Sequence, residues 1–302
     1  MGSQLVFGLV LRLGLFGRMG ALRRPTVKAL HGAMQLKAGK RKASFPVMSR
    51  AILCTLALAR LTSVPAAFGQ EADGSRDVGF VATPMALVTG MLDLAAVAAT
   101  DVVYDLGSGD GRIVIAAARR GARAVGVELD SILVEESRAS ADTAGVAARV
   151  EFRRADLFTT DLRPATVVTL YLGRELNQRL RPRFLQNLRP GTPVVSQAFD
   201  MGDWPPDSVV TVRSREVAAT PVHLWIIPAD VAGRWTLTVG AERHQLDLAQ
   251  RYQLVRGTAD LVWLEGVRLH GDSIAFSAEG RRFAGRVAGD EARGTLQIGL
   301  CH

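Results

Sequence analysis

Two rhythms of apolar and polar residues follow one another along this chain, and the change falls near residue 230. From 85 to 227, short apolar runs alternate with stretches of helical spacing. Residues 85–98 place apolar side chains at the spacing of an amphipathic helix. The pattern then predicts strands over 101–106, 123–128, 149–154, 165–172 and 193–199. Helices are predicted between them over 111–120, 131–144 and 174–188. Gly121 suits the residue that ends the first of these, and Asp130 suits a cap just before Ser131. Alternating strands and helices predict an α/β fold with a mostly parallel, doubly wound sheet. Two more strands, 208–216 and 221–227, have no helix between them and read as an antiparallel hairpin at one edge. These bring the expected sheet to seven strands.

Beyond residue 230 the period shortens. Residues 231–302 hold ten glycines and short alternating segments at 235–239, 244–248, 252–255, 261–269, 273–276, 283–287 and 294–299. Turn signals such as Gly271-Asp272 and Gly289-Asp290 separate them. A small all-β C-terminal domain is expected, a meander forming a sandwich or barrel. The domain reading is therefore a leader over 1–70, an α/β domain over 75–229 and the β domain over 231–302.

Charge changes the picture at the N-terminus. The 302 residues carry a net charge of +8. Residues 1–70 contain eleven Lys and Arg and no acid, which leaves 26 basic and 29 acidic residues beyond them, a net charge of −3. The excess of positive charge belongs to the leader, so the body has no compositional case for binding nucleic acid. Met48-Ser49-Arg50, the apolar run 51–59 and the small residues around Ala66-Ala67 have the layout of a signal peptide over 48–69. That layout predicts an exported, periplasmic or membrane-associated protein, with membrane contact only through the leader. A cytoplasmic protein with a basic tail is the alternative. The run is too short for a comfortable membrane span. Cys54 and Cys301 are the two cysteines, and no Cys/His cluster has metal-ligand spacing, so no metal is expected. His223 lies in an apolar run and is expected to be a core or edge-strand residue.

The chemistry is concentrated at residues 102–112, Val-Val-Tyr-Asp-Leu-Gly-Ser-Gly-Asp-Gly-Arg. A strand ends in an acid, Asp105, and runs through Gly107, Ser108 and Gly109 into a helix. Such a turn lets a ligand approach backbone closely and offers it the free N–H groups of a helix N-terminus. The third glycine comes one residue earlier than in the dinucleotide fingerprint, and the loop lacks the pattern of a triphosphate-binding loop. Glu128 ends the next strand, as an acid that takes ribose hydroxyls commonly does. Asp156 follows the third. Acids at three successive strand ends suit a positively charged nucleoside such as S-adenosyl-L-methionine.

The form Asp105-Leu106-Gly107-x-Gly109-x-Gly111 with its downstream acids resembles the first motif of class I, Rossmann-like SAM-dependent methyltransferases. Phe80-Val81-Ala82-Thr83-Pro84, Thr166 to Leu172, Leu180-Arg181-Pro182-Arg183 and Leu188-Arg189-Pro190-Gly191 sharpen that likeness. Their order resembles the lysine methyltransferases of ATP synthase subunit c and the adenine nucleotide translocase, with their bacterial relatives. The resemblance spans roughly 130 residues and implies transfer of a methyl group to a protein lysine. It implies that Asp105, Gly107, Ser108 and Gly109 line the methionine part of the cofactor, that Glu128 holds the ribose and that Asp156 lies near the adenine amine. Phe80, Thr83 and Pro84 would close over the cofactor, and Tyr171 would stand with Thr83 where methyl and acceptor meet. Tyr171-Leu172-Gly173-Arg174 departs from the Tyr-Leu-Leu-Pro-type turn of the family, which bears on the acceptor. A methyltransferase of small molecules or RNA, and an exported binding protein with a degenerate nucleoside site, are the alternatives.

Overall fold

The computed structural model describes residues 32–38, 81–215 and 218–298. Phe80 and residues 48–69, the segment expected to be a signal peptide, lie outside the described residues. In chain order the first elements are β1 (Gly32–Ala38), α1 (Met85–Leu94), β2 (Val102–Leu106), α2 (Arg112–Arg119) and β3 (Arg123–Glu128). They are followed by α3 (Ser131–Thr143), β4 (Val150–Arg154), β5 (Val167–Leu170), α4 (Arg174–Asn187), β6 (Pro193–Gln197), β7 (Ser208–Val212) and β8 (Thr220–Ile226). One sheet has the order β4-β3-β2-β5-β6-β8-β7. From β4 to β6 neighbours run parallel, while β8 and β7 add antiparallel strands at one side.

Side-chain alternation along these strands explains the layers. Val103 packs with Leu87, Met91, Ile113 and Val134 from α1, α2 and α3. Its neighbours Tyr104 and Leu106 point the other way, into a cluster with Leu176, Leu180 and Phe184 of α4. Both faces are covered, so the parallel strands are apolar nearly throughout. With every parallel strand running the same way, the ends of β2, β3, β5 and β6 share one edge. Several predicted elements are shorter than their patterns. α1 stops at Leu94 because Ala96 adopts φ 52°, a left-handed conformation that no helix continues through. β5 covers only 167–170 and β7 stops at Val212.

The second sheet holds β9 (Gly233–Val239), β10 (Glu242–Arg251), β11 (Leu254–Ala259), β12 (Val262–Trp263), β13 (Glu265–His270), β14 (Ser273–Ala278), β15 (Arg281–Ala288) and β16 (Glu291–Ile298). Its order is β12-β11-β10-β9-β1-β16-β15-β14-β13. Two expected strands differ. Tyr252 sits in the β10–β11 turn with φ 57°, and the expected strand 261–269 divides into β12 and β13.

The larger correction concerns the leader. Residues 32–38 are not a detached tail: β1 pairs antiparallel with β9 on one side and β16 on the other. Leu36 is 3% exposed and packs with Trp235, Leu237 and Leu296. Among the described residues, β1 therefore joins two four-stranded halves whose strands do not pair with each other. Truncating its central side chain, Leu36→Ala, should cost about 2–5 kcal/mol of stability, as buried leucines do. Thermal unfolding of the whole chain checks this, and an unchanged midpoint would contradict the place of β1.

The two sheets are tied together beside α4. Trp204 stacks on Tyr252 with ring centroids 5.4 Å apart, and its Nε1 donates to Gln253 Oε1 at 2.8 Å. Asp203 accepts from Arg181, Arg251 and the Tyr252 hydroxyl. Those bonds, that of Arg251 foremost, hold its carboxyl down to about 2.

Candidate active site at the strand ends

The residues from Asp105 to Arg112 make a tight turn out of β2 into α2. Gly107, Gly109 and Gly111 have φ values of 74°, 53° and 75°. L side chains adopt such angles at a cost, which accounts for the alternate glycines. Gly107 and Ser108 donate their N–H groups to the Val127 carbonyl and so bring the turn against the end of β3. Gly111 has a packing role. A Cβ there would lie 2.7 Å from the Phe152 ring and 2.9 Å from Ser137 Cβ. The early third glycine thus lets α2 start close against α3 and β4.

A cleft of about 620 Å³ opens at this edge. Thr83, Asp105, Gly107, Ser108, Glu128, Asp156 and Tyr171 all line it, so the structure brings most of the predicted site together. Gly109 reaches the same place through its N–H, which donates to Glu128 Oε2 at 3.0 Å. Pro84 takes the N-cap position of α1, beside Thr83, and is not among the residues lining the cleft. Leu129, Ile132, Leu133, Leu157 and Phe158 give the cleft an apolar side. Arg179 stands over the Phe158 ring at 4.2 Å.

The three acids have different surroundings. Asp105 is 2% exposed, and Thr169 Oγ1 donates to its Oδ1 at 2.7 Å. Burial pushes its pKa up to about 7, the hydroxyl bond opposes this, and the charges of Glu128 and Asp110 add to it. Glu128 takes three backbone N–H groups, from Gly109, Leu129 and Asp130. Asp156 Oδ1 accepts from Phe158 N at 2.7 Å. Asp130 caps α3 by accepting from Ile132 N at 2.9 Å.

Arg112 is a residue that motif reading missed. Its guanidinium clasps Asp110 and donates from Nη1 to the Thr83 carbonyl at 2.9 Å. It ties the segment before α1 to the glycine turn, and Asp110 orients it. The signal was present as a lone basic residue just after three glycines, but its partner lies 29 positions away. His223 lies in β8, inside the sheet, stacked on Trp225 at 5.7 Å, and burial pushes its imidazole pKa down. Among the described residues no group of three His, Cys, Asp or Glu could hold a metal, and no helix is long and apolar enough to cross a membrane.

Known proteins share this architecture and its motif. Residues 105–208 match the profile of the ANTKMT methyltransferase domain. A protein-lysine N-methyltransferase of Saccharolobus islandicus (strain REY15A) is 40% identical over 152 residues, covering 50% of this chain and 94% of that protein. The chain belongs to this methyltransferase family. The chain is accordingly a SAM-dependent methyltransferase. The adenine nucleotide translocase lysine N-methyltransferase of Mus musculus is 41% identical over 122 residues, 40% of this chain and 53% of that protein. A crystal structure of an RNA methyltransferase from Salinibacter ruber with S-adenosyl-L-homocysteine is 55% identical, with a TM-score of 0.47, and covers 50% of this chain and 96% of that one.

Proposed function

We propose that this methyltransferase transfers the methyl group of S-adenosyl-L-methionine to a lysine side chain of a protein. The observation that carries the reading is the set of three acids at the ends of β2, β3 and β4, gathered in one cleft that reaches Tyr171. The residues present fit the cofactor. A carboxylate offers about four lone-pair positions, so beside its three backbone donors Glu128 keeps one on Oε2 for a ribose hydroxyl. Asp156 engages Phe158 N through Oδ1, which leaves Oδ2 for an exocyclic amine. The leucines, Ile132 and Phe158 form an apolar slot for a base. Asp105, buried and acidic, suits the cationic methionine end. Gly107, Ser108 and Gly109 let that end approach the backbone. Thr83, 4% exposed and held through its carbonyl by Arg112, closes the cleft from the side of α1. Phe80, three residues before Thr83 in sequence, is proposed to close over the cofactor with it.

When bound, the cofactor supplies a methyl group already activated by a sulfonium, so the protein needs no nucleophile of its own. Its task is to align donor and acceptor for in-line displacement, which can contribute about 7–11 kcal/mol in well-oriented systems. A lysine must arrive unprotonated, and an apolar surrounding lowers its pKa. Tyr171, just past β5, offers a ring to that amine.

Turnover of SAM with fractionated cell extract tests this reading. Release of S-adenosyl-L-homocysteine should depend on the extract, survive nuclease treatment and disappear after protease treatment. Sensitivity to nuclease alone would refute it.

A further inference from the structure

Sheet order places a residue beyond the cofactor cleft that motif reading did not single out. β2, β5 and β6 are parallel neighbours, so Asp105, Tyr171 and Phe199 follow one another along the same edge. Phe199 lies two residues past β6, on the side of Tyr171 away from Asp105. The two rings stack with centroids 5.9 Å apart and planes 22° from parallel. Phe199 remains 36% exposed, an apolar ring open to solvent beside the end of the cleft.

The chain around Phe199 is held from several directions. Asn177, fully buried on α4, donates from Nδ2 to Ser196 Oγ at 2.9 Å and to the Phe199 carbonyl at 3.2 Å. Arg174 pairs with Asp200 at 2.9 Å, and Ala198 N donates to the Pro221 carbonyl at 2.8 Å. Ala198 has φ 63°, a conformation disfavoured for alanine. A strained residue pinned by its surroundings marks a place where geometry is worth its energetic cost. Two buried amide oxygens in this cluster, Asn177 Oδ1 and Gln197 Oε1, accept no hydrogen bond.

Building on the lysine reading above, we infer that Phe199 and Tyr171 together form the aromatic wall of the acceptor channel, with Phe199 a binding residue for the lysine side chain. The stacked pair presents a continuous apolar surface to the four methylenes of lysine. Its π faces attract any ammonium that approaches. Arg174, Asn177 and Ser196 act as positioning residues that hold the wall.

The test compares the full chain with Phe199→Ala and Phe199→Tyr, using labelled SAM and poly-L-lysine as acceptor. Phe199→Ala should raise KM for poly-L-lysine about tenfold and leave KM for SAM within twofold. Phe199→Tyr, which keeps the ring, should restore the acceptor KM to within about threefold of wild type. Wild-type labelling of lysine with an acceptor KM unmoved by Phe199→Ala would overturn the wall and leave the lysine reading standing. An equal rise in both KM values would also overturn it, as that is the mark of a structural defect. Absence of label on lysine with the wild-type enzyme would overturn the lysine reading and this inference with it.

Discussion

Asp105→Asn should cost the enzyme most of its affinity for SAM while making the free protein more stable at pH 8. Both effects come from one buried charge. Asp105 is 2% exposed, and its pKa stands near 7 in the fold against 3.8 when exposed. An acid raised in this way binds its proton more tightly folded than unfolded. The contribution of Asp105 to stability is therefore fullest below about pH 4, falls as pH rises towards 7, and is flat above that. A shift of this size corresponds to about 4 kcal/mol as an order of magnitude. Asparagine keeps an acceptor for Thr169 and carries no charge. Its unfolding midpoint should match that of wild type near pH 4, exceed it increasingly up to about pH 7, and keep that margin at pH 8. In the complex the same charge would face a cation, so its loss should weaken SAM binding by roughly 30-fold or more, about 2 kcal/mol. Wild-type affinity should correspondingly rise as pH increases through 7. Calorimetric titration at pH 8 checks the affinity. Equal binding by the two proteins would remove Asp105 from the site.

Gly111→Ala should damage the fold directly. The residue has φ 75°, and the added Cβ would lie 2.7 Å from Phe152 and 2.9 Å from Ser137. Phe152 is 5% exposed and Ser137 is fully buried on α3, so neither neighbour can withdraw into solvent. Backbone strain of about 1 kcal/mol or more adds to an overpacking cost of about 1–3 kcal/mol. For a unit of this size each kcal/mol moves the unfolding midpoint by roughly 2–4 °C, which puts the expected loss near 10 °C. SAM binding should fall as well, because the turn and α2 shift together. A midpoint within 2 °C of wild type, as an order-of-magnitude threshold, would mean that this glycine is not held as described.

What the sequence reveals about this site follows from how local each feature is. Asp105 and the glycines that follow it are legible because strand, turn and helix start lie within a dozen residues, each with its own backbone demand. Glu128 and Asp156 are legible because strand ends recur at the period of the α/β unit. The bond from Arg112 to Thr83 joins a helix to the segment before α1, and nothing in either stretch names the other. Phe199 is hidden for a related reason: its meeting with Tyr171 depends on β6 lying beside β5, which is a property of the sheet. β1 is the extreme case. Seven residues in a basic, acid-free stretch carry too little alternation to announce a strand, and the partners that give it a place, β9 and β16, lie some 200 residues on. The methyltransferase sheet, with its own cores on both faces, could be read from local pattern, whereas the completion of the second sheet could not.

The destination of the methyl group decides whether this enzyme modifies protein lysine. Labelled SAM, incubated with the enzyme and cell extract and followed by hydrolysis and mass spectrometry of the labelled material, measures this directly. Methylated lysine released from protein is the predicted product. Label recovered in nucleotides, in another amino acid or in small molecules would contradict the account.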